Sequence, residues 1–367
     1  MTAARPLHVL INAINDNAVP RGPDRYVLEL LPRMLAADQG LAITLVHASW
    51  QQAFAGVDFG PRVRVTCVEA PRHPARRLMW QASVFPRIAN RIGAQVTFLP
   101  NLIWTPGLRG PSVMSAHDLL HFRAPEKFGR AKAAVLRQVI RRAIKRTDRV
   151  IAVSDFTAAD VVRFGGADRE HVVTITEGAP SANRRMDHAT EKTFLFVGKL
   201  ERTKGIVDLV TAFRNSQRLA RAGYRLLIVG PDGNASGEVT RALAAGGDRI
   251  ERLGFVPDPD LQRLYLTCRG FVFPSVAEGF GLVILEAMAH GAPVIAARAT
   301  SLPEVVGDAG LLVPPADIGA LQDALERLAF DDALFQRLQR AGYARLSDFS
   351  WDRAGAATAA LFREVAG

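Results

Sequence analysis

The sequence predicts an α/β protein of two doubly wound domains, each a parallel sheet with helices on both faces. Three observations predict it. Short apolar runs alternate with helical patterns along the 367 residues. Those runs are continuous rather than alternating, which marks strands buried on both sides. The pattern also pauses once and restarts, so it reads as two repeating halves facing a cleft. At roughly 100–200 residues per domain, the length suits two domains with separate cores.

The elements follow in order. LHVLINAI (7–14) reads as a strand and RYVLELLPRMLA (25–36) as the helix after it. Residues 41–48, 63–69, 95–100, 111–118 and 149–154 read as further strands. Ser154 is placed to cap the helix FTAADVVRFG, with Gly165 closing it. The polar stretch Ser181–Lys192 has few periodic apolar residues and reads as the linker. The expected division is therefore 1–183, 184–348 and a last amphipathic helix over 349–367, returning to the first domain. Residues 193–198, 225–230, 270–274 and 293–297 read as the strands of the second half.

Composition narrows the function classes. Hydrophobic residues make up 49% and charged residues 22%, as in ordinary globular domains. Cys67 and Cys268 have no motif spacing, which argues against a disulfide framework or zinc site and points to a reducing compartment. No secretory signal or spanning segment is visible, so the expected location is cytoplasmic, at most peripheral on the inner face of the membrane. The net charge of +10 falls entirely in residues 1–183, with 24 basic against 14 acidic residues; residues 184–367 hold 22 of each. Such asymmetry predicts an anionic partner for the first half.

Two segments of the second half carry chemistry. Glu278-Gly-Phe-Gly-Leu-Val-Ile-Leu-Glu286 follows a strand and opens a helix. Gly279 and Gly281 allow close backbone approach, and the helix start offers N–H groups to an anion. Carboxylates there suit sugar or ribose hydroxyls; pairing on a helix face is the structural alternative. Gly198-Lys199-Leu-Glu-Arg-Thr-Lys204-Gly205 follows another strand and puts two lysines at the carboxyl edge of a sheet. Doubly wound domains bind ligands at that edge, and lysine suits phosphate as a point charge.

Together these segments resemble family 4 of the retaining glycosyltransferases, whose fold, GT-B, has two Rossmann-like domains. The family's G-R/K-L-x-x-x-K-G segment is matched at 198–205, and its E-x7-E motif at Glu278 and Glu286. GPDG at 230–233, His117-Asp118, AVSDFT at 152–157, TEGA at 176–179 and SLPEVVGDAGLLVPP at 301–315 match as well. The resemblance implies that Lys199 and Lys204 grip a donor diphosphate and stabilise the leaving charge. It implies that Glu286 bonds the donor ribose and Glu278 the sugar hydroxyls. Phe280, Gly281 and Leu282 would form the turn whose amides touch phosphate and sugar. His117 would lie by the transferred sugar, Phe255 and Val256 by the base, and Gly22 and Gly198 by the diphosphate. One departure stands out: Asp24 replaces a glycine of the first loop, and its charge should repel a diphosphate unless Arg25 or the loop turns it away.

The resemblance implies a hexosyltransferase taking a GDP- or UDP-hexose, first of all GDP-mannose, without a metal or other cofactor. The acceptor would be a saccharide or a lipid-linked saccharide. An epimerase of the same architecture and a non-catalytic sugar-nucleotide binder are the rival readings. Asp258-Pro-Asp260 matches a metal-holding D-x-D pattern, but it precedes a helical segment that an Asp would cap. Lys127–Arg149 reads as a basic amphipathic helix. Its Arg141, Arg142 and Lys145, with Arg72, Arg76 and Arg77 near Trp80, are the expected acceptor or anionic-membrane face. Nucleic acid is not expected, because no recognition motif accompanies the charge.

Overall fold

The computed structural model describes residues 6–15, 22–103, 105–182, 190–244 and 247–367. Much of the expected linker lies outside them. The chain divides into two compact units, Met1–Gly178 with Ser350–Gly367, and Ala179–Phe349.

The first unit has, among the described residues, a seven-stranded sheet. Its strands are β1 (Leu7–Asn12), β2 (Leu41–Ala48), β3 (Val63–Val68), β4 (Val96–Leu99), β5 (Ser112–Ala116), β6 (Arg149–Ala152) and β7 (Val172–Thr174). All pairs are parallel, in the order β3-β2-β1-β4-β5-β6-β7. The strand order reverses between β1 and β4, so the loops leaving those strands border a natural ligand crevice. Val9, Leu10 and Ile11 are fully buried, as a doubly covered central strand requires.

Helix Trp351–Ala366 completes this unit by lying against helix Gly22–Ala37. Ser350 caps it, accepting from the Arg353 amide. Gly355 permits the close crossing: a Cβ there would lie 2.5 Å from the Arg33 Cβ. Arg363 grips the Asp38 carboxylate at 2.7 and 2.9 Å, which holds Asp38 below the usual carboxylate range. Ser154 caps helix Asp155–Asp160, accepting from Thr157 N at 3.0 Å. The helix closes one residue later than expected: Gly166, not Gly165, adopts the left-handed conformation. Gly165 instead faces Ile144, whose Cδ1 would be 2.6 Å from a Cβ.

The second unit has β8 (Thr193–Val197), β9 (Arg225–Val229), β10 (Ile250–Gly254), β11 (Gly270–Phe273), β12 (Val294–Ala297) and β13 (Gly310–Val313). They form a parallel sheet in the order β10-β9-β8-β11-β12-β13, reversing between β8 and β11. The segments 198–205 and 274–281 therefore straddle the second switch point.

Candidate functional site

In the second unit the backbone builds the site before any side chain does. Where β8 and β9 end, Gly198 N donates to Val229 O, and a Cβ on Gly230 (φ 140°) would sit 2.1 Å from Gly198 O. Across the switch point, Gly205 (φ 65°) would bring a Cβ to 2.2 Å from Pro274 O. Thr203 O accepts from Val276 N at 2.8 Å and Ser275 Oγ at 3.0 Å. Both loops are thus clamped to each other, and only glycine fits the closest approaches.

That clamp sets Lys204 against Glu278. The ammonium donates to Oε1 at 2.5 Å and lies 5.2 Å from the centre of the Phe273 ring. Their side chains are only 20% and 14% exposed. Glu278 is fixed from behind, its amide donating to Thr300 Oγ1 and its carbonyl accepting from Ser301 Oγ. Thr300 has φ 52°, an uncommon conformation for a β-branched residue. Ser301 also bonds Phe280 O, and the buried Phe280 ring meets Phe349 edge-on at 5.5 Å.

Gly281 (φ 111°) precedes helix Leu282–Ala289, and Glu286 projects from its second turn. Tyr265 OH donates toward Glu286 Oε2 at 3.5 Å. Lys199, 48% exposed, pairs with the buried Glu201 at 3.3 Å. Gly254 (φ 68°) turns the chain after β10, leaving Phe255 83% exposed beside the half-buried Val256. Asp258 and Asp260 lie in the first turn of helix Asp258–Thr267, but the expected aspartate cap is absent: Pro257 holds the cap position and no side chain closes it. As first-turn acids both complement the helix dipole. Among the described residues no group of three or more His, Cys, Asp or Glu is arranged to hold a metal.

In the first unit His117 leaves the end of β5. Its Nδ1 is 3.1 Å from Glu177 Oε1 and its Nε2 3.0 Å from Pro100 O. A carbonyl and a carboxylate both accept, so the geometry suits a proton on each ring nitrogen. Burial pushes its pKa down, but the Glu177 carboxylate, the Pro100 carbonyl and the charge of Asp118 hold it above the usual histidine value. The Tyr26 ring packs edge-on against it at 4.7 Å.

Asp24 is 1% exposed in the first turn of helix Gly22–Ala37. It accepts from Asn15 Nδ2 at 2.7 Å and, more distantly, from Gln51 Nε2 at 3.5 Å. Gln51 also donates to Ala13 O and accepts from Ala48 N. The carboxylate thus bonds a buried amide network formed by Asn15 and Gln51.

A cavity of about 790 Å³ opens beside His117. It is bordered by segments following β1, β4 and β5 and by helices Pro74–Ser83 and Arg130–Arg146. The basic residues around it have different duties. Arg141 donates to Phe164 O at 2.9 Å and lies over Phe122, so its guanidinium serves the fold. Arg142, Lys145, Arg72 and Arg76 are exposed. Arg72 and Arg77 each lie 5.9 Å from the centre of the Trp50 ring, and Trp80 packs near Phe85.

Sequence reasoning gave no role to Tyr265, Thr300 or Glu177. Ser301 and Glu177 do fall inside matched segments, which was the available signal; Tyr265 and Thr300 reach the site only through folding.

Comparison with known proteins comes to the same regions. The family described as "Glycosyltransferase Family 4" matches residues 20–181, and "Glycosyl transferases group 1" matches residues 191–331. The O-antigen chain mannosyltransferase B of Escherichia coli is 32% identical over 257 residues, 66% of this chain and 67% of that protein. The serotype-specific mannosyltransferase WbdA of Escherichia coli is 28% identical over 56% of this chain, but the match spans only 28% of its greater length. Among solved structures, Anabaena HepE in complex with UDP-glucose superposes with a TM-score of 0.75 at 19% identity, covering 98% of this chain and 99% of that one.

Proposed function

The chain belongs to glycosyltransferase family 4, with the GT-B fold, and on that premise we propose that it transfers an α-linked hexose, with retention and without a metal ion, from a nucleotide sugar to a saccharide or lipid-linked saccharide. The observation that carries this reading is the half-buried Lys204–Glu278 pair at the second switch point. As it stands the pair is neutral. A donor diphosphate competes for the Lys204 ammonium, and Glu278 is then released to accept from hydroxyls of the sugar. Lys199 adds a second cation to the leaving diphosphate, which does the charge work that other transferases assign to a metal. Glu286, oriented by Tyr265, takes the ribose, the Phe280–Leu282 turn presents amides to the phosphate, and the open Phe255 lies where the base would rest.

Mannose from GDP-mannose is the favoured donor, supported by the likeness to the O-antigen mannosyltransferase. HepE, solved with UDP-glucose, supports a nucleotide sugar in general. We place the enzyme in the cytoplasm, peripheral on the inner membrane face, with Arg72, Arg76, Arg142 and Lys145 toward anionic lipid. Among the described residues no helix is long and apolar enough to cross a membrane.

A thermal-shift panel of nucleoside diphosphates and nucleotide sugars in excess chelator tests the donor. Ligand at 100 times its dissociation constant adds about 2.7 kcal/mol. GDP and GDP-mannose should stabilise the protein, and transfer should persist in chelator with the α-configuration kept. Stabilisation by UDP-hexoses alone would overturn mannose, and chelator-sensitive transfer would overturn metal independence.

A further inference from the structure

Among the described residues, two that are not glycine have a left-handed backbone: Thr300 (φ 52°) and Ala316 (φ 57°). Ala316 is exposed and carries only a methyl group. Thr300 is half-buried and β-branched, the side-chain class that tolerates this conformation least. Glycine would make the same turn without steric strain. A strained residue that its surroundings hold in place beside a candidate site points to a use for its side chain.

The Thr300 hydroxyl supplies that use by accepting from the Glu278 amide at 3.1 Å. The next residue, Ser301, is fully buried, with its hydroxyl 3.2 Å from Glu278 O and 3.0 Å from Phe280 O. Leu302, also fully buried, backs the same loop: a Cβ on Gly281 would lie 2.9 Å from its Cδ2. Three consecutive residues after β12 thus hold both main-chain polar groups of Glu278 and the turn that follows it. Rotation about φ at Thr300 swings its own hydroxyl and Ser301 together relative to β12. The left-handed value is therefore what aims both at Glu278.

The Lys204 pair shows why Glu278 needs such a hold. In the free protein its carboxylate bonds Lys204 at 2.5 Å. A diphosphate that takes the ammonium removes that tether, and the carboxylate then keeps its aim through its main chain. We propose that Thr300 is a positioning residue for the transfer, its hydroxyl fixing the Glu278 main chain so that the freed carboxylate stays directed at the sugar. The inference rests on the transferase reading above and goes beyond it, to a residue that touches no substrate. Losing the hydroxyl lowers the rate of the chemical step and leaves the grip on the nucleotide intact.

The test is steady-state release of nucleoside diphosphate by the full chain from GDP-mannose and from UDP-glucose, with water as the acceptor. Calorimetric binding of GDP and UDP and thermal midpoints run alongside. Thr300→Gly relieves the backbone and removes the hydroxyl, whereas Thr300→Ser keeps the hydroxyl and removes the β-branch. Thr300→Gly should hold its midpoint and bind the diphosphate within about twofold of the wild type, yet lose at least about tenfold in kcat with KM within about threefold. Thr300→Ser should recover kcat to within about threefold of the wild type. A bond that served stability alone would lower the midpoint of Thr300→Gly and spare kcat in the folded protein; that result overturns the proposal. So does an equal loss of kcat in Thr300→Ser, or a Thr300→Gly protein too unstable to bind the diphosphate. An active wild type with unchanged kcat in Thr300→Gly sinks the positioning role alone. A wild type that releases diphosphate from neither donor counts against the transferase reading itself, and the role of Thr300 falls with it.

Discussion

The two units have the same winding but finish their sheet edges in opposite ways. In the second unit the loops leaving β8, β9 and β11 are packed backbone against backbone, with glycines at 198, 205, 230 and 233. At three of these, Gly205, Gly230 and Gly233, a Cβ would fall within 2.4 Å of a carbonyl oxygen. The first unit holds its edge by side chains: Asn12, Asn15, Asp24, Gln51 and Gln81 form an amide and carboxylate network, with a cavity beside it. A backbone-built edge suits a ligand part that never varies, such as a diphosphate. A side-chain-built edge suits an acceptor, which differs from one family member to the next. Residues 1–183 also carry the whole charge excess, while the rest of the chain is balanced.

The largest effect should come from putting a side chain into the crowded edge. Gly230→Ala meets both a glycine-only conformation and the Gly198 carbonyl, so unfolding free energy should fall by at least about 3 kcal/mol. Gly22 is the control in the other unit. It has no described atom within 4 Å of a Cβ and no left-handed φ, so Gly22→Ala should change stability by less than about 0.5 kcal/mol. Denaturant unfolding of both variants decides it; equal losses would erase the contrast.

Next in size is Asp24→Ala. Removing the carboxylate strips Asn15 of its 2.7 Å acceptor inside the fold, which should cost about 2 kcal/mol. Nucleoside-diphosphate affinity should stay within twofold, because the lost charge faces inward. Tighter nucleotide binding in this variant would mean that Asp24 does repel the donor. In the second unit Lys204→Met should cost about 1–2 kcal/mol by stranding a largely buried carboxylate. Glu278→Gln on that background should recover part of the loss, so a double-mutant cycle reads the pair directly. Additive losses would show that the two side chains do not interact.

The sequence was legible where chemistry and burial coincide. Continuous apolar runs marked ten of the strands, and the matched motifs placed Lys199, Lys204, Glu278 and Glu286 at one sheet edge. The unmarked strands, β7, β10 and β13, are all sheet edges. β7 has three residues, Ile250–Gly254 mixes Glu251 and Arg252 into its run, and Gly310–Val313 is mostly half-buried, so none shows the signature of a doubly covered strand. Asp24 was legible as an anomaly but not as a solution, since its partners lie 9 and 27 residues away and meet it only through the winding of β1 and β2. The cavity was legible only in part: His117-Asp118 is a matched pair and Lys127–Arg149 reads as a basic amphipathic helix, but the apolar lining between them carries no motif.

The smallest effect, and the sharpest test of the first unit, concerns His117. Tyr26, neutral because burial pushes its phenol up, packs on the ring; the charged groups facing it are Glu177 and Asp118. Since the folded pKa is raised above the unfolded value, the pair's stabilisation is complete below the unfolded pKa and fades as pH rises through the folded one. Wild-type stability should therefore decline from near neutral pH upward, by about 1 kcal/mol or less. Glu177→Gln removes the acceptor charge and leaves burial to dominate, so the His117 ring should titrate at lower pH and the variant should lose that alkaline slope. The ring resonances of His117, followed by NMR across pH 5–9, measure the titration, and denaturant unfolding at the same pH values measures the slope. An unshifted titration in Glu177→Gln would mean that Glu177 does not hold the proton. A wild-type ring that is neutral at pH 6 would return His117 to the role of an available base and break the assignment of both its nitrogens to the protein.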